Sequence, residues 1–279
     1  MKVGVVGLGT MGAGIAQVSI TAGHQTVGRE ISQELAQRGR ATIEHYLGRA
    51  VEKGRMTTDE RDAALARLAL TTELSDLADC ELVIEAVLEE LPLKREVFAE
   101  LDRATRPEAI LATNTSALSV AEIAEATQHP ERVVGMHFFN PAPVLPLVEI
   151  VRAPASSDEA VRAAYEWADR AGKRPVACND TPGFIVNRIL IPLLNDCVRV
   201  LDEAGVTPED LDKALVNGAG WPLGPCALVD LVGIDVHVHA SEALYEKLGE
   251  ERMAPPRRLV ELQQHGRLGR KTGAGFFDY

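Results

Sequence analysis

Lys2-Val-Gly-Val-Val-Gly7-Leu-Gly9-Thr10-Met11-Gly12-Ala-Gly-Ile-Ala16 is the stretch that decides the architecture. Its β-branched start, residues 2–8, reads as a buried strand. The small and apolar residues that recur from 11 to about 22 read as a helix. Between them the glycines fall at the G-x-G-x-x-G spacing. Gly7 permits a tight turn, Gly9 lets a pyrophosphate approach the backbone, and Gly12 lets the helix pack close to the strand. The helix N-terminus adds unpaired N–H groups and the positive end of a dipole. Such a hexapeptide alone is also compatible with a structural turn. The strand before it and the helix after it are the context of a dinucleotide-binding fingerprint. Gly7, Gly9, Thr10, Met11 and Gly12 are therefore candidate cofactor-binding residues.

Working outward, residues 25–29 read as a second strand, and Glu30 ends it about 20 residues past the fingerprint, where an acid can hold a ribose 2′-hydroxyl. A carboxylate there repels the 2′-phosphate of NADP and favours NAD. Arg29 acts the other way if it faces the pocket, and is otherwise a solvated edge residue, so NADP stays open as an alternative. A long amphipathic helix follows over 32–53, with Ser32 as N-cap. The polar segment 54–66 continues as a second helix, so 32–66 forms a helical insertion. Strands at 82–86, 110–113, 133–138 and 145–151 then alternate with helices at 92–101, 118–126 and 158–171, before a short strand at 175–177. Alternation of this kind gives a mostly parallel sheet covered by helices on both faces. The character changes at Asn179-Asp180-Thr181-Pro182-Gly183. Beyond it the periodicity is helical, over 184–203, 208–217, 226–248 and 256–265. The expected fold class is α/β: a Rossmann-like, mostly parallel sheet domain over 1–180, followed by a smaller all-helical domain over 181–279.

The bulk composition narrows the function. With 279 residues, 46% hydrophobic and 25% charged, the chain has the balance of an ordinary globular protein. Aromatics make up only 4% and the net charge is −12, which together argue against a nucleic-acid surface. Cys80, Cys178, Cys197 and Cys226 are widely spaced and form no CxxC pair, so neither a zinc site nor a disulfide framework is expected. His237-Val-His239 reads as ordinary helix, and no metal is expected. There is no leader pattern and no apolar run of the roughly 20 residues that a bilayer requires. The expectation is a soluble, cytoplasmic protein without a membrane partner.

Two further segments carry chemistry. His137 ends an apolar strand before a proline-rich turn, a position more often held by a core or loop histidine. Glu149 lies in the apolar run 145–151, where a carboxylate needs a partner. If the chain folds back about the 141–146 turn, Glu149 comes level with His137 as a His–Glu dyad. The alternative is that Glu149 faces solvent from an edge strand. Asn114 and Ser116 follow a buried strand; they fit a helix cap and, being at a strand's carboxyl end, also a ligand contact. Asn187 and Arg188 open an apolar helix, where a buried Asn needs hydrogen-bond partners. Lys53 could pair with phosphate or be a solvated helix lysine.

Seven segments in order, GLGTMGAGIA (7–16), IEAVLEELPLK (84–94), ATNTSALS (112–119), GMHFFNP (135–141) with LVEIV (147–151), DTPGFIVNR (180–188), GPCALVDLVGID (224–235) and GRKTGAGFFDY (269–279), resemble the 3-hydroxyacyl-CoA dehydrogenase family along essentially the whole chain. The resemblance implies NAD as cofactor, an acyl-CoA substrate, a homodimer formed through the helical domain, and a cleft between the domains. It implies His137 as general base, Glu149 as its partner, and Ser116 and Asn187 as contacts of the substrate hydroxyl and carbonyl. Asn140 is a further substrate contact. Glu89 and Lys94, with Asn114, match positions near the nicotinamide, and Lys53 matches a CoA-phosphate contact. The chain departs from the family at Gly28-Arg29-Glu30, where two apolar or aromatic residues and then aspartate are usual. Trp221 before Pro222 fits none of these patterns. A dehydrogenase of a free 3-hydroxy acid or sugar acid, and a non-catalytic dinucleotide-binding protein, are the rival functions.

Overall fold

Strand β1 (Lys2–Val6) lies third in an eight-stranded sheet in the computed structural model, which describes residues 1–279. Around it the chain builds α1 (Thr10–Thr21), β2 (Gln25–Arg29), α2 (Gln33–Glu52), α3 (Thr58–Leu65), β3 (Leu68–Thr71) and β4 (Leu82–Glu85). Next come α4 (Leu91–Ala104), β5 (Ile110–Thr113), α5 (Val120–Ala124), β6 (Val133–Phe138), β7 (Leu147–Arg152), α6 (Asp158–Arg170) and β8 (Arg174–Asn179). The strand order is β3-β2-β1-β4-β5-β6-β7-β8. The strands from β3 to β6 all pair in parallel. β7 runs antiparallel to β6, and β8 parallel to β7. The mostly parallel α/β class expected from the sequence holds.

The chain divides into two compact units, Met1–Thr181 and Pro182–Tyr279. The core of the first is the apolar face of the sheet, with Val3, Val5, Ile84, Val134 and Ile150 packed against Ile15, Ile20 and Trp167 of the covering helices. Local signals set the helix limits. The Ser32 hydroxyl accepts from the Leu35 amide at 3.3 Å, and Thr57 and Glu60 form a reciprocal capping box before α3. One strand escapes sequence reading: β3 is four residues long, Leu-Ala-Leu-Thr, at the sheet edge, with too short an alternation to stand out.

The second unit is helical: α7 (Val186–Ala204), α8 (Pro208–Ala219), α9 (Pro225–Val232), α10 (Ile234–Leu248) and α11 (Arg257–Gln264). The single helix expected over 226–248 is two, because Gly233 takes φ +106° between them, outside the helical region. Asp212 accepts from the amides of Cys226 and Ala227 and so caps α9. Trp221 packs on the cluster of Leu194, Val198, Val229 and Leu259. His237 is buried, with Nε2 2.8 Å from Asn195 Oδ1; the Asn195 amide in turn donates to the carbonyl of Met253. Asp230 accepts from the amides of Phe276 and Phe277. No helix is long and apolar enough to cross a membrane.

Candidate active site

The strand order reverses its direction of growth between β1 and β4, and open α/β sheets bind ligands outside the carboxyl ends of the strands at such a point. The loop after β1 is shaped for it. Gly7 has φ +84°, and its amide donates to the Arg29 carbonyl at 2.9 Å. A Cβ on Gly12 would lie 1.7 Å from the Gly7 oxygen, whereas one on Gly9 would meet nothing within 4 Å. The glycine that packs the helix is thus jammed, and the one expected beneath a pyrophosphate is open. Thr10 and Met11 begin α1 beside that opening.

Glu30 completes this half. One carboxylate oxygen accepts from the Leu8 amide at 2.6 Å, the other from the Ile31 amide at 3.0 Å. It lines a cavity of about 830 Å³ together with Gly9, Thr10, Lys53 and Asn140. Arg29 does not line this cavity; its Nε donates to the Thr72 carbonyl at 3.2 Å. Gly28 has a steric reason, since a Cβ there would lie 2.8 Å from a Leu8 methyl. Arg38, Arg49, Lys53 and Arg55 bring four cationic side chains to the cavity lining.

At the ends of β4 and β5 lies a buried ionic network. Glu85 is fully buried and accepts from Lys94 Nζ at 2.7 Å, from the Val87 amide at 2.6 Å and from the Thr113 hydroxyl at 2.8 Å. Lys94, itself 1% exposed, also lies 3.3 Å from Glu89. Glu89 then gathers the loop after β5: its Oε1 accepts from the Thr115 hydroxyl and from the amides of Ser116 and Ala117 at 2.6, 2.7 and 3.1 Å. Burial works against the Glu89 carboxylate, but the Lys94 ammonium, the Thr115 hydroxyl and the two amides outweigh it and hold the group below its ordinary range. Ser116 stands exposed on the loop so held.

β6 and β7 supply the third part. Their antiparallel register sets Glu149 directly opposite His137, and Glu149 Oε2 lies 2.7 Å from His137 Nδ1. The two side chains are 1% and 5% exposed, so the edge-strand alternative for Glu149 fails; β8 covers that side of β7. In the tautomer that donates Nδ1–H to the carboxylate, the basic lone pair is on Nε2. Asn114 Oδ1 accepts from the Phe138 amide at 2.9 Å, which ties the end of β5 to the residue after His137. The turn after β6 is anchored by Lys173, whose buried ammonium donates to the carbonyls of Ala142 and Leu145 at 2.5 and 3.1 Å. Asn187 lies half-buried in the first turn of α7, in the second unit.

Residues 2–181 match the NAD binding domain model of 3-hydroxyacyl-CoA dehydrogenase, and residues 183–279 match the C-terminal domain model of the same enzyme. The chain belongs to the 3-hydroxyacyl-CoA dehydrogenase family. It is an NAD-dependent oxidoreductase of that family. The 3-hydroxybutyryl-CoA dehydrogenase of Mycobacterium tuberculosis is 46% identical over 280 residues, covering 100% of this chain and 98% of the relative. That of Bradyrhizobium diazoefficiens is 41% identical, covering 100% and 95%. The solved (S)-3-hydroxybutyryl-CoA dehydrogenase of Ralstonia eutropha superposes with a TM-score of 0.96 at 38% identity, covering 100% of this chain and 98% of its own.

Within this family member the first unit brings together Glu89, Lys94 and Ser116 in one network and His137, Glu149 and Asn114 around the β6 end. Lys94 is sealed beneath Glu89 instead of facing the cavity. Glu85 is a further member of this network that no motif marks. The signal was available, since a carboxylate inside Leu-Val-Ile-Glu-Ala raises the same question of a partner as Glu149 inside its own apolar run. No group of three or more His, Cys, Asp or Glu is placed to hold a metal ion.

Proposed function

We propose that the protein interconverts (S)-3-hydroxybutyryl-CoA and acetoacetyl-CoA, with His137 as the general base and acid and Glu149 as its partner. The single observation carrying this reading is the buried His137–Glu149 pair at 2.7 Å on the sheet that also bears the dinucleotide fingerprint. When bound, NAD supplies the hydride acceptor, and the open face at Gly9 and the carboxylate of Glu30 suit its pyrophosphate and adenosine ribose. His137 removes the proton of the C3 hydroxyl as that carbon gives up hydride, and Glu149 stabilises the imidazolium that results. In the reductive direction the imidazolium returns the proton to the developing alkoxide. Ser116, held by Glu89, is suited to hydrogen-bond the reacting oxygen, and the resemblance assigns Asn187 to the substrate as well. Lys53, within the group of four cations on the cavity wall, supports a CoA-phosphate contact, and Asn140 shares the same lining.

The reading includes a cytoplasmic homodimer. Four unpaired cysteines are in keeping with a reducing compartment. Ile189 and Leu193 on α7, with Leu231, Val232 and Val236 around the α9–α10 junction, leave apolar surface on the second unit that a second copy could cover.

The test is NADH consumption with acetoacetyl-CoA, run beside free acetoacetate and beside NADPH. Rapid oxidation of NADH that requires the thioester is the expected result. Equal turnover of the free acid would move the assignment to a hydroxy-acid dehydrogenase, and NADH binding without turnover would move it to a non-catalytic protein.

A further inference from the structure

Glu85, Lys94 and Glu89 form a continuous ionic chain, buried at its first two members, with separations of 2.7 and 3.3 Å, that the chemistry above does not use directly. Its place relative to the cofactor follows from topology. The loop after β1 takes the pyrophosphate and Glu30, after β2, takes the adenosine ribose, so the other half of a dinucleotide runs across the switch point over β4 and β5. Glu85 ends β4, Glu89 follows it, and the loop after β5 is bonded to Glu89. Of the three side chains only Glu89, at 33% exposure, reaches the surface; Glu85 and Lys94 are 0% and 1% exposed. Two carboxylates and one ammonium leave one net negative charge. Glu85 and Lys94 lie out of water and only Glu89 meets it, so solvent screens this charge only in part.

A nicotinamide ring is cationic when oxidised and neutral when reduced. A fixed charge near it therefore interacts differently with the two forms, and only a differential interaction can shift their balance. We propose that the Glu85–Lys94–Glu89 triad is a positioning and electrostatic element of the nicotinamide end, whose single net negative charge favours binding of NAD+ over NADH. Glu85 is the member that sets the count: Lys94 lies between two carboxylates, 2.7 Å from Glu85 and 3.3 Å from Glu89, and its one positive charge offsets only one of them. The same residue braces Thr113, next to Asn114, and through Lys94 and Glu89 it braces the Ser116 loop. This inference rests on the cofactor being NAD and not on the identity of the thioester.

The experiment compares the affinities of the purified full chain for NAD+ and NADH, using NADH fluorescence titration and displacement by NAD+, with no acyl substrate present. The ratio of the two dissociation constants cancels any fraction of misfolded protein. Glu85→Gln makes the triad neutral and should shift the ratio of the two dissociation constants toward NADH by at least about threefold. Lys94→Met leaves two negative charges and should move the ratio in the opposite direction. The double variant Glu85→Gln/Lys94→Met restores a net charge of minus one and should return the ratio to within about twofold of the unmodified protein. Opposite shifts with recovery in the double variant establish the charge count. Equal losses of both affinities with an unchanged ratio, or single and double variants that behave alike, would overturn the proposal and leave the triad a structural brace. Because no thioester enters the titration, failure of the substrate assignment would leave this result standing.

Discussion

Replacing Glu149 by Gln keeps the shape of the side chain and removes its charge from a position that is 1% exposed. In the resting site, the carboxylate accepts from His137 at 2.7 Å, a hydrogen bond to a charged group worth about 1.5–3 kcal/mol. In the proposed mechanism the ring takes the substrate proton, and imidazolium and carboxylate then face each other. With charge centres about 4 Å apart and an effective dielectric of about 20, their attraction is about 4 kcal/mol. The amide retains a hydrogen bond and forfeits most of that attraction, so the step loses about 2–4 kcal/mol, or roughly 30- to 1,000-fold in kcat. It can also donate to Nδ1, which moves the ring proton to Nε2 and takes away the base. The assay is kcat in both directions with 3-hydroxybutyryl-CoA and acetoacetyl-CoA, alongside the affinity for NADH. Affinity should hold within about twofold, because the electrostatic effect is confined to the proton-transfer state. A kcat within about threefold of the unmodified enzyme would refute the reasoning and make Glu149 a packing residue.

His137→Ala should lower kcat by at least about 100-fold while the protein remains folded; near-normal turnover would remove the residue from the chemistry. Gly12→Ala drives a methyl to 1.7 Å from the Gly7 carbonyl oxygen, so the fingerprint turn must shift. A stability loss of about 1–3 kcal/mol and weakened NADH binding are expected, and a variant with unchanged melting and binding would contradict the close packing described. In the second unit, burial pushes the His237 imidazole from its ordinary 6.5 down to about 4. The unfolded chain therefore takes up this proton first, so stability falls as pH drops through 6.5 and the loss is complete near 4, about 3 kcal/mol in all. Thermal melts between pH 7 and 4 should show this slope, and His237→Gln should flatten it.

Much of the fold is visible in the sequence wherever local pattern and tertiary demand coincide. The fingerprint reads correctly because strand, turn and helix each carry their own signal within residues 2–21, and the packing that needs Gly12 is local. β3 does not read, because an edge strand of four residues held by one neighbour has little pattern to show. The break at Gly233 is hidden by apolar residues on both sides, and only the backbone angle reveals it. In the site, the juxtaposition of His137 and Glu149 can be inferred from a misplaced carboxylate and a turn. The link from Glu85 through Lys94 to Glu89 cannot be read as a chain, since it joins β4 to a helix that enters at its own angle. Lys94 looks like a surface lysine of an amphipathic helix until its burial is known.

β7 is held between an antiparallel neighbour and a parallel one, and this has a consequence for how such an enzyme can change over generations. Val148 and Ile150 anchor the strand in the core, while Glu149 between them meets His137 across the register. A slip of one residue would turn the Glu149 carboxylate into the apolar core and take both anchors out of it. Selection for a protein that merely folds thus also guards the alignment of His137 with Glu149. Mutational drift in the aliphatic residues of this strand can proceed under quality control for folding alone, and the register of the His137–Glu149 pair is inherited with it.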